Sequence, residues 1–171
     1  MHAFSLSAAA TYNIYYYLYA ALANINKALE AAEDLDEGKA PYVAELYALR
    51  GIFHFHLATY FAPIPTSGNS NKLGIVLADR VFPVTYVGKR ASLDDTYKQI
   101  VGDLTAAIET GLNKEQNAGH ANYWAALAMR ARAYLYWGKY DEALADCREI
   151  IGQSPYTLYS LTEYANVWSA E

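Results

Sequence analysis

The sequence predicts an all-α domain of antiparallel helix pairs that is interrupted by one long irregular loop. Apolar residues recur every three or four positions along five segments, which is the period of an amphipathic helix. Gly and Pro residues separate these segments, and such residues end helices. The segment from Pro63 to Arg90 lacks the helical period. The 171 residues, of which 54% are hydrophobic, suffice for one core of ordinary size.

The charge distribution argues against a nucleic-acid partner. The formal net charge is -5, and the 13 Lys and Arg residues are scattered without a basic block, whereas phosphate binding needs a clustered positive face. Cys147 is the only cysteine, so an internal disulfide is excluded. No stretch has the roughly 18 apolar residues of a transmembrane helix, and Met1 to Ala10 lacks the blocks of a signal peptide. We expect a cytoplasmic protein, or a targeting segment that lies outside this sequence.

Two helices are predicted before the loop. The first runs from about Thr11 to Ala32, and the second runs from near Pro41, a favourable first-turn residue, to Pro63. Each has an apolar stripe at helical spacing. The predicted inward residues are Ile14, Leu18, Leu22, Ile25 and Leu29 on helix one and Tyr42, Leu46, Leu49, Phe53, Leu57 and Tyr60 on helix two.

The long loop carries the only candidates for ligand contact. Leu73 to Leu77 and Phe82 to Val87 look extended and β-branched and are expected to form a loose hairpin. Phe82 and Tyr86 have rings that can stack on a sugar face or anchor the loop onto the helices. We favour the anchor, because a long loop needs one. Loops of this length inside a compact domain are uncommon and are often functional.

Three helices are predicted after the loop. Ser92, with Asp95 three residues later, marks the start of helix three as a short capping box. Helix four covers about Ala121 to Trp137, helix five follows from Tyr140 to Gly152, and a short last helix is expected at Leu161 to Trp168. The predicted inward residues are Trp124, Leu127, Ala128, Ala131, Tyr134 and Leu135 on helix four and Tyr140, Ala143, Leu144, Cys147, Ile150 and Ile151 on helix five.

Helices four and five match one tetratricopeptide (TPR) unit. The pattern of small residues, aromatic residues, a turn glycine and a closing proline consists of Ala131, Tyr134, Gly138, Tyr140, Ala143 and Pro155. Small residues lie where the helices of a pair cross, and the aromatic residues fill the groove beside them. The predicted fold class is therefore all-α with TPR-like antiparallel helix pairs, an αα superhelix. We expect residues 1–171 to be a single helical domain and a piece of a longer protein. The first TPR-like pair covers 41–112 and contains the loop 63–91, and the second covers 119–155.

The order of short motifs resembles the SusD/RagB-like outer-membrane nutrient-binding lipoproteins. Five segments carry this resemblance in the order that the family has them. The first is Leu49-Arg50-Gly51 with Tyr60-Phe61, and the second is Gly74-Ile75-Val76-Leu77. The third is Arg90 with Tyr97, Ile100, Asp103-Leu104 and Ala107. The fourth is Ala131 to Tyr136 with Gly138 and Tyr140, and the fifth is Tyr156 with Leu158 and the stretch from Tyr164 to Trp168.

The resemblance implies a protein much longer than this chain, with an export signal and a lipid-carrying cysteine before it and a large irregular half after it. It implies capture of a glycan or another nutrient at the cell surface of the outer membrane. It also implies that the TPR-like region docks on a TonB-dependent, SusC-like transporter. In the family the sugar-binding aromatic surface lies largely in the parts that are missing here, so no ligand residue transfers to a numbered position.

No catalytic set, metal site or cofactor is expected. His54 and His56 are separated by about 200° around a helix, too far to share a metal ion. Cys147 lies on an apolar stripe, so we expect it to be buried as a small hydrophobic side chain and not to act as a nucleophile. Without an acid and base pair or an activated nucleophile, the sequence does not indicate an enzyme.

A calcium-binding loop between helices one and two is the second metal site that we consider. Asp34, Asp36 and Glu45 flank a turn between two helices, as calcium ligands do. However, the glycine of an EF-hand would fall at Lys39. We favour a solvated acidic turn.

Arg50 is expected to pair with Asp103 across the interface of helices two and three. Arg50 lies beside an apolar stripe, and pairing would offset the cost of burying two charges. These two residues and the small, aromatic and glycine residues of the TPR unit are therefore predicted to be structural. Alanine at either position should cost more than a surface substitution.

A cytoplasmic TPR adaptor that binds a peptide or protein partner in its concave groove is the rival hypothesis. Such an adaptor would have a short turn in place of Pro63 to Arg90, and its gene would lack an export signal. Stacked repeats need about three units to cover their apolar faces, whereas two pairs and one further helix are predicted here. The isolated chain is therefore expected to expose Tyr and Trp residues, and to self-associate or to be marginally stable.

Overall fold

The computed structural model describes residues 9–35, 38–115 and 119–164. Over these residues the chain forms five α-helices and no strand. The helices are α1 (Ala9–Glu33), α2 (Ala40–Phe61), α3 (Leu93–Thr110), α4 (Tyr123–Trp137) and α5 (Tyr140–Gln153), and a 3₁₀ turn lies at Pro65–Ser67. The predicted all-α fold is confirmed. None of the described helices is long and apolar enough to cross a membrane.

The helices stack in chain order, each packing against the one before it. α2 and α3 form the broadest of these interfaces. Their buried faces supply most of the largest fully buried side chains, namely Phe55, Leu57, Tyr97, Ile100 and Leu104. The core therefore lies at the middle of the stack, and α1 and α5 form its two ends.

Side-chain caps define the starts of α3 and α4. Ser92 Oγ accepts a hydrogen bond from Asp95 N at 3.0 Å and donates one to Asp95 Oδ2 at 2.7 Å, so the predicted capping box forms. α4 begins slightly later than predicted, at Tyr123, because the Asn122 side chain caps it by accepting from Ala125 N at 2.9 Å.

The turn between α4 and α5 follows the TPR pattern in part. Gly138 ends α4 in the left-handed region, with φ at 84°, where glycine carries no steric penalty. Ala131 and Ala143 are buried, and Tyr134 is half-buried. Tyr140 is 60% exposed, so the expectation that its ring fills a groove is wrong for the described part of the chain.

The predicted inward stripe of α2 is wrong at its ends. Tyr42 and Tyr60 are 70% and 62% exposed. Because α2 is apolar around much of its circumference, its periodicity does not define a single face. Close packing decides the orientation instead, since a Cβ atom on Gly51 would lie 2.8 Å from Leu104 Cγ of α3. The buried face is made mainly of small side chains around one large ring, namely Ala44, Ala48, Gly51, Phe55 and Ala58.

The predicted hairpin between Leu73–Leu77 and Phe82–Val87 does not form among the described residues. The first of these segments pairs with the residues just before α3. Gly74 N donates to Ala91 O at 2.8 Å, and Ala91 N donates to Ile75 O at 2.7 Å. The prediction failed because β-branched composition does not identify the partner of an extended segment.

Several predicted inward residues of α4 and α5 are exposed. On α5 only Ala143 and Asp146 are buried, because α5 packs mainly on α4 and only one side of its stripe is covered by described residues. The short helix predicted at Leu161–Trp168 is a turn over 161–164, and 165–168 lie outside the described residues. The exposed residues that were predicted to face inward are Ala128, Leu135, Tyr140, Leu144, Cys147 and Ile151.

Gly51→Ala should destabilise the protein by about 1–3 kcal/mol, the usual cost of overpacking. The added methyl group would meet Leu104 Cγ at 2.8 Å and the carbonyl oxygen of Ile100 at 3.2 Å. Gly102→Ala is the matched control, because the Cβ position of this exposed α3 glycine has no neighbour within 4 Å. Its better helix propensity should stabilise the protein by about 0.5–1 kcal/mol. Denaturant unfolding measures both changes, and equal stabilities would contradict the close approach of α2 and α3.

Candidate functional site

A buried ion pair joins α2 to α3. Arg50 Nε donates to Asp103 Oδ2 at 3.0 Å, and Arg50 Nη2 donates to Asp103 Oδ1 at 2.6 Å. This is the bidentate geometry that guanidinium and carboxylate groups favour. The two side chains are 10% and 3% exposed. Gln99 Nε2 adds a further hydrogen bond to Asp103 Oδ1 at 3.0 Å. The contact between Arg50 and Asp103 that the sequence predicted is therefore present.

The same guanidinium reaches α1 and the long loop. Arg50 Nη1 donates to Asn26 Oδ1 of α1 at 3.0 Å and to the carbonyl oxygen of Asp79 at 2.8 Å. Asn26 Nδ2 in turn donates to the carbonyl oxygens of Ala78 and Arg80 at 2.8 and 3.0 Å. Together with the ion pair, these bonds form what we call the Arg50 network. It joins three helices and the loop at one point.

His54 lies fully buried on α2 beside this network. Its Nε2 atom accepts a hydrogen bond from Ala78 N at 3.1 Å, and its Nδ1 atom lies 3.7 Å from Asp103 Oδ2. His56 is half-buried, and its pKa is lowered by burial and by the nearby charge of Arg132. The two histidines therefore have different surroundings, and His54 serves to hold the loop.

The ionised state of Asp103 follows from its neighbours. Burial alone raises the pKa of this carboxyl group, but the adjacent His54 ring, the Arg50 guanidinium and the Gln99 amide more than offset that effect. The pKa of Asp103 consequently lies below its usual value. Its carboxylate pairs with a guanidinium that stays charged at any ordinary pH. Both groups are engaged in holding helices together, which suits a structural role better than acid–base catalysis.

Glu45, one of the three carboxylates considered as calcium ligands, makes a structural contact. Its Oε1 atom accepts from Ala121 N at 2.9 Å, and its Oε2 atom lies 3.1 Å from His120 Nδ1, so it ties α2 to the start of α4. Asp34 is exposed, and Asp36 lies outside the described residues. Across 9–35, 38–115 and 119–164, no cluster of three His, Cys, Asp or Glu side chains is placed to hold a metal ion.

Phe82 and Tyr86, the candidates for ligand contact, pack on each other beside α1. Their ring centres are 4.0 Å apart, and their planes differ by 14°. With Tyr15 and Tyr19 they line a groove of about 310 Å³. Because the two rings cover each other, only part of Tyr86, which is 44% exposed, can meet a ligand. The stacked pair therefore favours the anchor interpretation.

A second ion pair, which the sequence reasoning missed, joins α3, α4 and α5. Arg130 Nε and Nη2 bind the two carboxylate oxygens of Asp146 at 2.9 and 2.7 Å, and Arg130 Nη1 donates to Thr105 Oγ1 at 3.1 Å. The sequence did hold a signal for it. Asp146 follows Ala143 by three residues and therefore shares its inward helix face.

Comparison with known families identifies the chain. A SusD-like family model, described as "Starch-binding associating with outer membrane", matches residues 2–135, which is more than half of the 171 residues. The chain belongs to the SusD-like family. The resemblance that its short motifs indicated is confirmed.

Relatives of this SusD-like chain agree with the assignment. A SusD-like protein of Formosa agariphila is 26% identical over 158 residues, which cover 89% of this chain and 28% of the relative. A SusD superfamily protein from Bacteroides thetaiotaomicron superposes with a TM-score of 0.83 at 27% identity, covering 90% of this chain and 35% of that one. A structure from Bacteroides vulgatus superposes with a TM-score of 0.81 at 28% identity, covering 92% of this chain and 37% of that one. The chain thus spans between 28% and 37% of the length of these relatives.

Replacing Arg50 or Asp103 singly by alanine should destabilise this SusD-like chain by about 3–5 kcal/mol, because each change leaves the other charge buried without its partner. Lys98→Ala is the control, since it removes an exposed ion pair with Asp94 on the surface of α3 and should have little effect. Denaturant unfolding measures all three variants. The interpretation is wrong if the Arg50 and Asp103 variants cost no more than the control.

Acid should destabilise the fold partly through Asp103. Its pKa is lower in the folded than in the unfolded state, so it contributes stability above its usual pKa of about 3.9 and loses that contribution as the pH falls through the folded pKa. The difference in unfolding free energy between the wild type and Asp103→Asn should therefore shrink below about pH 4. Asp94→Asn, which removes an exposed carboxylate, should show a small difference at every pH. A difference for Asp103→Asn that stayed constant down to about pH 3 would argue against this role.

Proposed function

We propose that this chain is the non-catalytic scaffold region of a SusD-like cell-surface protein that captures a glycan or another nutrient. The whole protein would dock on a TonB-dependent, SusC-like transporter in the outer membrane. The observation that supports this proposal most is the family match over residues 2–135. Because the chain spans 28% of the length of its curated relative, capture is proposed for the whole protein and not for this region alone.

A carbohydrate ligand is supported by what related proteins bind. The matching family is described as starch-binding. A laminarin-binding SusD-like protein has the same fold, with a TM-score of 0.72 at 23% identity. At that identity the likeness concerns the fold, and laminarin is the ligand of that protein. The class of ligand proposed for this chain is therefore a glycan, without a choice of sugar.

A scaffold role is supported by where the charged side chains lie. The buried pairs Arg50–Asp103 and Arg130–Asp146 each join neighbouring helices, and the Arg50 network also holds the loop. The loop from Pro63 to Arg90 is thereby bound to the helices, unlike the short turn that a plain TPR adaptor would have there. The ionisable groups of this region thus fix its shape, which a binding scaffold needs.

An exposed aromatic surface on α1 and α2 supports docking on a protein partner. We call it the α1–α2 patch, and it surrounds a shallow groove of about 390 Å³. Tyr17 and Tyr60 at its edge are 67% and 62% exposed. Tyrosine is enriched at the cores of protein interfaces, and clustered exposed aromatic residues mark interaction sites. The patch is lined by Ile14, Tyr17, Leu18, His56 and Tyr60.

The proposal predicts two separable properties of the full-length protein. Affinity electrophoresis against a panel of soluble glycans should show retardation by at least one of them, and the protein should co-purify with a SusC-like transporter from its native cells. Tyr17→Ala combined with Tyr60→Ala should lower co-purification about tenfold or more, as expected for interface anchors, while glycan retardation stays unchanged. Tyr42→Ala, which removes an equally exposed tyrosine outside the patch, is the control.

Two results would contradict the proposal. A full-length protein that no glycan retards would reject the capture function. Co-purification that is lost equally with Tyr42→Ala, or retained with the double variant, would reject the α1–α2 patch as the docking surface. Surface labelling of intact cells tests the proposed location independently of both.

A further inference from the structure

A small cavity lies where the start of α1, the end of α2 and the residues before α3 meet. Its volume is about 260 Å³, slightly below the roughly 300–1,000 Å³ of sites for drug-sized ligands. This is room for a single sugar unit. We call it the Arg90 pocket. Its aromatic wall consists of Tyr12, Tyr15 and Phe61, and its polar side chains include Thr11 and Arg90.

The guanidinium of Arg90 brings a positive charge to this pocket. Its Nε atom donates to the carbonyl oxygen of Gly74 at 2.6 Å, and its Nη2 atom donates to those of Phe61 and Leu73, both at 3.1 Å. No carboxylate of the described residues forms an ion pair with it. Carbonyl groups are dipoles and do not neutralise the charge, and the Nη1 atom has no hydrogen bond to any described residue. Arg90 is exposed, so the pocket offers a cation with a donor group that a ligand can reach in place of water.

Thr11 provides a second, independent sign that a polar ligand belongs here. The residue is 8% exposed, and its hydroxyl group has no hydrogen-bond partner among residues 9–35, 38–115 and 119–164. Buried hydroxyl groups without a partner are rare and need an explanation. A rotation of about 120° about χ1 moves the hydroxyl group to another staggered position.

The other aromatic groove lacks the buried hydroxyl group without a described partner. At the groove beside Phe82 and Tyr86, the rings cover each other at 4.0 Å. Two cations line this groove: Arg80, which is paired with Asp79 at 3.5 Å, and Lys27, which forms no ion pair with a described residue. The combination of a free cation, an unpaired buried hydroxyl and accessible aromatic rings occurs in the Arg90 pocket.

We propose that the Arg90 pocket binds one carboxylate-bearing sugar unit, a uronic acid. The carboxylate accepts hydrogen bonds from Arg90 Nη1 in a charge-assisted contact. The apolar face of the pyranose ring lies against Tyr12 and Tyr15, and one of its hydroxyl groups pairs with Thr11. A neutral sugar would lack this charge-assisted contact, and an apolar ligand would leave the hydroxyl without a partner. This inference rests on the proposed capture of a glycan and specifies the chemistry of one of its units.

The test titrates the full-length protein with D-glucuronate and with D-glucose, a neutral sugar of similar size, using calorimetry and NMR. Glucuronate should bind at least about tenfold more tightly than glucose, as a charge-assisted contact implies. Arg90→Gln should weaken glucuronate binding about tenfold or more, and Thr11→Val should weaken it about threefold. Thr11→Val keeps every described bond of the loop, so it separates ligand contact from any loosening of the loop by Arg90→Gln. Tyr140→Ala, on α5 far along the chain from the pocket, is the control.

The outcomes of this test also separate the two proposals. Glucuronate binding that neither Arg90→Gln nor Thr11→Val weakens, equal binding of glucose, or amide shifts that map away from Gly74 and Tyr15 would overturn the Arg90 pocket. In those cases, retardation of the protein by glycans would still support capture elsewhere in the protein. Glucuronate binding that both variants weaken would support the pocket even if no polymeric glycan retarded the protein.

Discussion

The bidentate contact between Arg50 and Asp103 is the constraint on which the other contacts of this fold depend. Two charges removed from water lose more than their attraction returns unless their remaining hydrogen-bonding groups are also satisfied. Asn26 of α1, Gln99 of α3 and the carbonyl oxygen of Asp79 in the loop supply those bonds. Because the pair needs all three elements in place at once, it specifies their arrangement more than it adds to stability.

The same reasoning explains why the loop from Pro63 to Arg90 has extended backbone and yet no partner strand in the described residues. Extended segments leave backbone groups that must find partners when they are buried. Here side chains of the helices serve that purpose: His54 accepts from Ala78 N at 3.1 Å, and the Tyr19 hydroxyl donates to the carbonyl oxygen of Val76 at 2.8 Å. Burial raises the pKa of this tyrosine well above its usual value, so the hydroxyl remains a donor. A hairpin is therefore unnecessary.

How much of this could be predicted from the sequence depends on how local each signal is. Helix bounds and the Ser92 cap follow from residues a few positions apart, and they were predicted to within about two residues. The buried face of α2 was not predicted correctly, because that helix is apolar around nearly its whole circumference. The fit of Gly51 against α3 decides its orientation. The Arg50 pair was found through a family-like motif. The role of Asn26 gave no periodic signal, since a polar contact between distant segments leaves none. For the pairing of Arg130 with Asp146, the spacing of Asp146 from Ala143 indicated the inward face but not the partner.

Arg50 of α2 and Arg90 at the end of the loop show how one residue type can have two roles while contacting the same loop. Both donate to loop carbonyl oxygens, but only Arg50 also meets a buried carboxylate. A guanidinium bonded to carbonyl dipoles keeps its net charge, and the charge of Arg90 faces a cavity walled by tyrosines. An anion bound there would interact with the same side chain that fixes Gly74 and Leu73 in place. Ligand binding and loop order would then stabilise each other, because the ligand binds the ordered loop more tightly than a disordered one.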